Sequence, residues 1–282
     1  MSSAAETVEG TLAALTVADI DVGGSRWRVA HRLHPNGEPP STQPPLLLCN
    51  GIGVNWQLFG PLIDALGGRP MIAFDAPGSG SSPPAPRSYR MPALAGRVAS
   101  LLDVLGVGRF DLLGVSWGGA LAQELAWQQP ARCRRLVLAA TSTGWTGFPG
   151  RWSALVQLAS ARRFADASAA ARVLPQVYGG RVRHDATALH AYLRRLRPPH
   201  PEGYAQQMSA LSGWTSLWWL PMLRQPALLL AGRDDPLVPV TNARLMHALM
   251  CRSQLHEVDD GHLLLHTGAH ELAPRIAGFL DA

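Results

Sequence analysis

Lysine is absent from the 282 residues, so the 25 basic side chains are all arginines, set against 20 acidic ones for a formal charge of +5. The arginines are spread without a dense run, which argues against a nucleic-acid-binding stripe. Cysteine is scarce. Cys49, Cys133 and Cys251 lie far apart, and no pair frames a disulfide scaffold or a metal site. Each reads as a small buried hydrophobe in a reducing compartment. No run of about 18 apolar residues occurs, so no transmembrane helix is expected. The first twenty residues have no basic residue ahead of their apolar stretch, unlike a secretory signal. A soluble cytoplasmic protein is the expectation. Apolar residues, at 47% against 16% charged, are plentiful enough to exclude disorder. The length suits one large domain or two small ones.

Residues 1–15 read as a loose lead-in. Val17–Val22 and Arg26–Leu33 alternate around Gly23-Gly24 as a β-hairpin does, and Pro35–Pro45 reads as a surface loop. Short apolar runs then recur at Leu46–Cys49, Met71–Phe74, Phe110–Leu113, Leu136–Ala140, Ala227–Ala231 and Leu255–Val258. Spacers such as Pro92–Leu105 and Ala120–Gln128 carry apolar residues at intervals of three and four. Buried strands alternating with helices predict a mainly parallel, doubly wound α/β sheet. The rhythm breaks over 144–221, which holds helix-like stretches, nine arginines against three acidic residues, and five of the nine tryptophans. It reads as a basic, aromatic helical cap inserted into a core formed by 16–143 and 222–282.

The run Phe110–Leu113 leads into Gly114-Val115-Ser116-Trp117-Gly118-Gly119, and a helical pattern follows. A serine between two such glycines at a strand-to-helix turn has the form of a nucleophile elbow. The turn forces Ser116 into strained backbone angles and leaves no room for side chains on its flanks. A serine hydroxyl needs a base, and the base needs an orienting acid. Ala227–Ala231 ends in Gly232-Arg233-Asp234-Asp235-Pro236, and Leu255–Val258 ends in Asp259-Asp260-Gly261-His262. Acid and histidine thus follow the serine in chain order at the same strand-end edge. Asp234 and Asp235 compete for the acid role; Asp235 is favoured because Pro236 fixes the turn after it, with Asp234 as a turn residue bonding to its own backbone. Asp259 and Asp260 read as turn or orienting residues.

Acyl chemistry also needs oxyanion donors. The backbone N–H of Trp117 is one, and Asn50-Gly51-Ile52-Gly53 offers Ile52 N–H as the second. The loop Asp75-Ala76-Pro77-Gly78-Ser79-Gly80 reads as structural. His262, His266 and His270 share a helical spacing that would suit a metal, but no carboxylate or cysteine completes a site, and exposed helix histidines are the alternative.

On these motifs the chain resembles the α/β-hydrolase family. More narrowly it resembles the intracellular depolymerases of medium-chain-length poly(3-hydroxyalkanoate), through Asn50-Gly51-Ile52-Gly53, the elbow, Tyr178-Gly179-Gly180, Gly213-Trp214-Thr215-Ser216, Asp234-Asp235-Pro236 and Asp259-Asp260-Gly261-His262. The resemblance implies an α/β-hydrolase fold, ester hydrolysis through Ser116, His262 and Asp235, and no metal or organic cofactor. It further implies a hydrophobic polyester substrate met by Asn50, Gly51, Trp145 and Trp214, and association with a storage granule. Arg233 stands where an acidic residue is expected, and Asn55-Trp56 differs, which leaves substrate preference open. A small ester, lactone or C–C substrate is the main alternative; a non-catalytic ligand receptor is a further one.

Overall fold

The computed structural model describes residues 15–33, 43–159 and 167–282. Residues 1–14 of the expected lead-in, His34, residues 35–42 of the expected Pro-rich loop, and residues 160–166 of the insertion, Arg162, Arg163 and Asp166 among them, lie outside the described residues.

The strands are β1 (Thr16–Asp21), β2 (Arg26–Arg32), β3 (Leu46–Cys49), β4 (Met71–Phe74), β5 (Phe110–Val115), β6 (Cys133–Ala139), β7 (Ala227–Gly232) and β8 (Ser253–Val258). They form one sheet in the order β1-β2-β4-β3-β5-β6-β7-β8. The hairpin β1–β2 turns through Gly23 and Gly24, both in the left-handed region, and β2 meets β4 antiparallel. From β4 through β3 to β8 every pairing is parallel.

Helices α1 (Gly60–Ala65), α2 (Met91–Val104) and α3 (Trp117–Gln128) connect the first strands. Between β6 and β7 lie α4 (Trp152–Ala159), α5 (Ala167–Tyr178), α6 (Ala186–Arg195) and α7 (Pro201–Leu211). The chain closes with α8 (Val240–Leu249), α9 (Leu264–Thr267) and α10 (Ala269–Asp281).

The short apolar runs of β3 to β7 are buried because both sheet faces are covered there, whereas Leu255–Val258 in the edge strand β8 is only half-buried. Leu47, Ile72, Leu112, Leu138 and Leu229 point into a core shared with α2 and α3. Their chain neighbours Leu46, Met71, Leu113, Val137 and Leu228 point to the other face, against α1 and α10. Helix α2 contributes Met91, Leu94, Ala95, Val98, Leu101 and Leu102, one helical stripe. A third cluster joins Leu174, Val177, Leu189 and Tyr192 of α5 and α6 to Val54, Leu58 and Leu237 of the loops beneath. It seats these helices over the C-terminal ends of the parallel strands, the edge where sites form in such sheets.

Candidate active site

Ser116 stands between β5 and α3 with φ 56° and ψ −122°, one of two non-glycine residues at positive φ among those described. The geometry of its flanks explains both glycines. A methyl at Gly114 would strike the Gly118 carbonyl and the Ala122 side chain, and one at Gly118 would strike the carbonyls of Cys49 and Asn50. The elbow is therefore pressed against the end of β3, which brings the Asn50–Gly53 loop beside the serine.

The loops after β7 and β8 deliver the other two groups. His262 Nε2 lies 2.9 Å from Ser116 Oγ, and its Nδ1 lies 2.7 Å from Asp235 Oδ2. Asp235 and His262 are both buried. An ionised carboxylate only accepts, so Nδ1 carries the proton and Nε2 presents its lone pair to the serine hydroxyl. The second oxygen of Asp235 accepts the N–H groups of Leu237 and Val238 at 2.8 and 2.9 Å. That turn, opened by Pro236, fixes the carboxylate.

Asp234 differs from expectation. It does not cap its own turn; its Oδ2 accepts Gly180 N–H at 2.9 Å and pairs with Arg183, tying the acid loop to the segment after α5. The self-bonding geometry belongs to Asp235. Asp260 is structural, as expected, accepting N–H groups of Gly261 and Arg181 and the Thr267 hydroxyl. Tyr178, at the end of α5, accepts His262 N–H through its carbonyl at 2.7 Å and lays its ring parallel to the imidazole, 5.8 Å between centroids.

The backbone N–H groups of Ile52 and Trp117 donate to no acceptor among the described residues. Asn50 Oδ1 accepts Gly51 N–H and its Nδ2 donates to the Asn55 carbonyl at 2.7 Å, so its side chain shapes the loop. Asn50, Gly51, Ile52, Ser116 and His262 all border a cavity of about 60 Å³. Its remaining wall is mainly apolar, including Leu58, Leu158 and Leu237.

Two tryptophans expected at the substrate do not reach this cavity. Trp214 is buried against the core and donates its indole N–H to Glu124 Oε2 at 2.8 Å. Trp145 is 79% exposed on the outer surface. Of the five tryptophans in 144–221, Trp214 and Trp219 pack inward, Trp219 stacking on Trp127.

The three histidines share no helical face: His262 precedes α9, His266 lies within it and His270 in α10. His266 is not an exposed helix residue either. It lines the cavity with its ring edge-on to Tyr192, and its Nδ1 lies 3.4 Å from the Leu58 carbonyl. Burial, aided by the positive Arg195, lowers its pKa to about 4 against the pull of the Leu58 carbonyl. The signal for its burial was its place directly after Leu263-Leu264-Leu265. Asp75 accepts Trp56 and Ser81 N–H groups in the loop after β4, and burial raises its pKa to about 6.

This geometry agrees with the family. A family model of the alpha/beta hydrolase fold matches residues 44–269, and the chain belongs to that family. It is 45% identical over 246 residues to poly(3-hydroxyalkanoate) depolymerase of Ectopseudomonas oleovorans, covering 87% of this chain and 86% of the relative. It is 30% identical over 254 residues to 2-hydroxymuconate semialdehyde hydrolase of a Pseudomonas species, covering 84% and 86%. Among solved structures, an enol-lactonase from Burkholderia xenovorans shares the fold with a TM-score of 0.80 at 23% identity, covering 94% of this chain and 100% of that one.

Proposed function

We propose that this chain is a serine hydrolase that cleaves the ester bonds of poly(3-hydroxyalkanoate), of medium side-chain length, to 3-hydroxy acids or short oligomers. The observation that carries the reading is the continuous relay from Ser116 Oγ through the His262 ring to Asp235, at 2.9 and 2.7 Å. The 45% identity to a poly(3-hydroxyalkanoate) depolymerase supports the polymer as substrate.

His262 Nε2 takes the Ser116 proton as Oγ attacks the ester carbonyl, and Asp235 holds Nδ1–H while the ring is charged. The N–H groups of Ile52 and Trp117 receive the oxyanion. Collapse breaks the ester C–O bond, and the departing alcohol end takes the proton from His262. Water then gives a proton to His262 and attacks the acyl-serine; collapse releases the carboxylic acid and returns the proton to Ser116. Asn50 and Gly51 contact the acyl group at the cavity floor. Residues 144–221 act as a cap, and its exposed tryptophans meet the polymer at the granule surface.

The test is hydrolysis of purified polyesters of graded side-chain length beside short p-nitrophenyl esters. Release of 3-hydroxyoctanoate, abolished by Ser116→Ala, is the expected result. The size of the cavity, about 60 Å³, favours one second reading, a small soluble ester or lactone. Turnover of p-nitrophenyl esters without polymer degradation would establish it.

A further inference from the structure

The two oxyanion donors sit on elements far apart in sequence, Ile52 on the loop after β3 and Trp117 at the start of α3. One residue of α7 grips both neighbourhoods, the first through its side chain and the second through its main-chain carbonyl. Gln207 is wholly buried. Its Oε1 accepts the N–H of Gly53, one peptide beyond Ile52, at 2.8 Å. Its Nε2 donates to the Pro77 carbonyl at 2.9 Å and to Ser79 Oγ at 2.8 Å. Its main-chain carbonyl accepts the indole N–H of Trp117 at 2.9 Å. Only this orientation of the amide matches each donor to an acceptor; the flipped one sets NH₂ against Gly53 N–H and carbonyl against carbonyl. Gly53, at φ 69°, has no room for a side chain because the Tyr204 ring of the same helix rests on it.

We propose that Gln207 is the positioning residue of the oxyanion hole. It touches neither substrate nor Ser116. It holds the Ile52–Gly53 peptide and the Trp117 ring in one frame, so that two N–H groups from separate elements converge on one oxygen. Preorganised donors act by being already in place, and a small displacement weakens them in the transition state more than in the ground state. This inference rests on the ester-hydrolase reading above.

Gln206 supplies the comparison. It is also buried on α7, and its amide bonds both backbone groups of Ala85, at 3.0 and 2.8 Å, away from the cavity. Gln207→Met and Gln206→Met therefore each delete a buried amide from one helix. With a soluble 3-hydroxyacyl ester, Gln207→Met is expected to lower kcat about 10–100-fold, less than outright loss of a donor, while KM stays near the wild-type value. The inhibition constant of a trifluoromethyl ketone, which forms an oxyanionic hemiketal with Ser116, is expected to rise by the same factor. Gln206→Met is expected to lower Tm and leave kcat and the inhibition constant unchanged. Should Gln207→Met fail to fold, Ser79→Ala decides the matter, with a smaller fall in kcat and a matching rise in the inhibition constant. Equal kinetic effects in the two glutamine variants overturn the proposal, as does an unchanged inhibition constant in Gln207→Met or, in its place, Ser79→Ala. Turnover that survives Ser116→Ala would instead overturn the hydrolase reading itself.

Discussion

Two adjacent aspartates divide their labour by which way each carboxylate points. Asp235 bonds His262 with one oxygen and its own turn with the other, whereas Asp234 faces the segment after α5. Asp235→Asn presents an amide to Nδ1 and can favour the wrong tautomer, so kcat is expected to fall on the order of 10⁴-fold. Asp234→Asn is expected to lower Tm and leave kcat near the wild-type value. Steady-state kinetics and thermal unfolding of the pair separate the two roles.

His266 gives a pH prediction. Its pKa of about 4 lies below the usual 6.5, so the unfolded chain binds the extra proton between those values. That stability is present above pH 6.5 and is lost as pH falls towards 4. Asp75, raised to about 6, works in the opposite sense, its contribution being lost as pH rises from about 4 to 6. His266→Leu therefore removes one of two opposed slopes. Relative to wild type, the variant is expected to gain about 2 kcal/mol of unfolding free energy between pH 7.5 and pH 5. Urea titrations at the two pH values measure it, and identical pH slopes in the two proteins would refute it.

At the scale of elements, the strands were legible because a strand buried on both faces is written as a short unbroken apolar run. Leu46–Cys49 and Met71–Phe74 match their predicted bounds. The order of serine, acid and histidine was legible because the first two close such runs and the histidine follows the half-buried edge strand that ends at Val258. What could not be read were contacts between the 144–221 helices and the sheet-edge loops. Gln207 is an ordinary polar position on α7 until Gly53, Pro77 and Trp117 are seen around it. Trp214 shows the converse: an aromatic residue in a family-like motif was expected at the substrate, yet its indole N–H pairs with buried Glu124. Trp214→Phe leaves Glu124 Oε2 without its donor while Oε1 keeps the Gln128 amide, which costs about 1–3 kcal/mol. A lower Tm with KM unchanged is expected; a raised KM at unchanged stability would return Trp214 to the substrate site.

For the molecule as a whole, three tryptophans between β6 and β7 remain on the surface: Trp145, Trp152 and Trp218 are 79%, 78% and 75% exposed. No helix among the described residues is long and apolar enough to cross a membrane. These exposed indoles are the groups on which the proposed contact with an apolar polymer rests. The triple replacement by alanine is expected to reduce co-sedimentation with polymer granules and to spare turnover of a soluble ester. Retained co-sedimentation would place adhesion elsewhere.

Convergence of the β5, β7 and β8 loops on one activated hydroxyl is tested most directly by phosphonylation with a fluorophosphonate at neutral pH, followed by peptide mapping. A single adduct on Ser116, lost in the His262→Ala variant, is the predicted result. Folded wild-type protein that stays unlabelled, or His262→Ala that labels as fast, would contradict it.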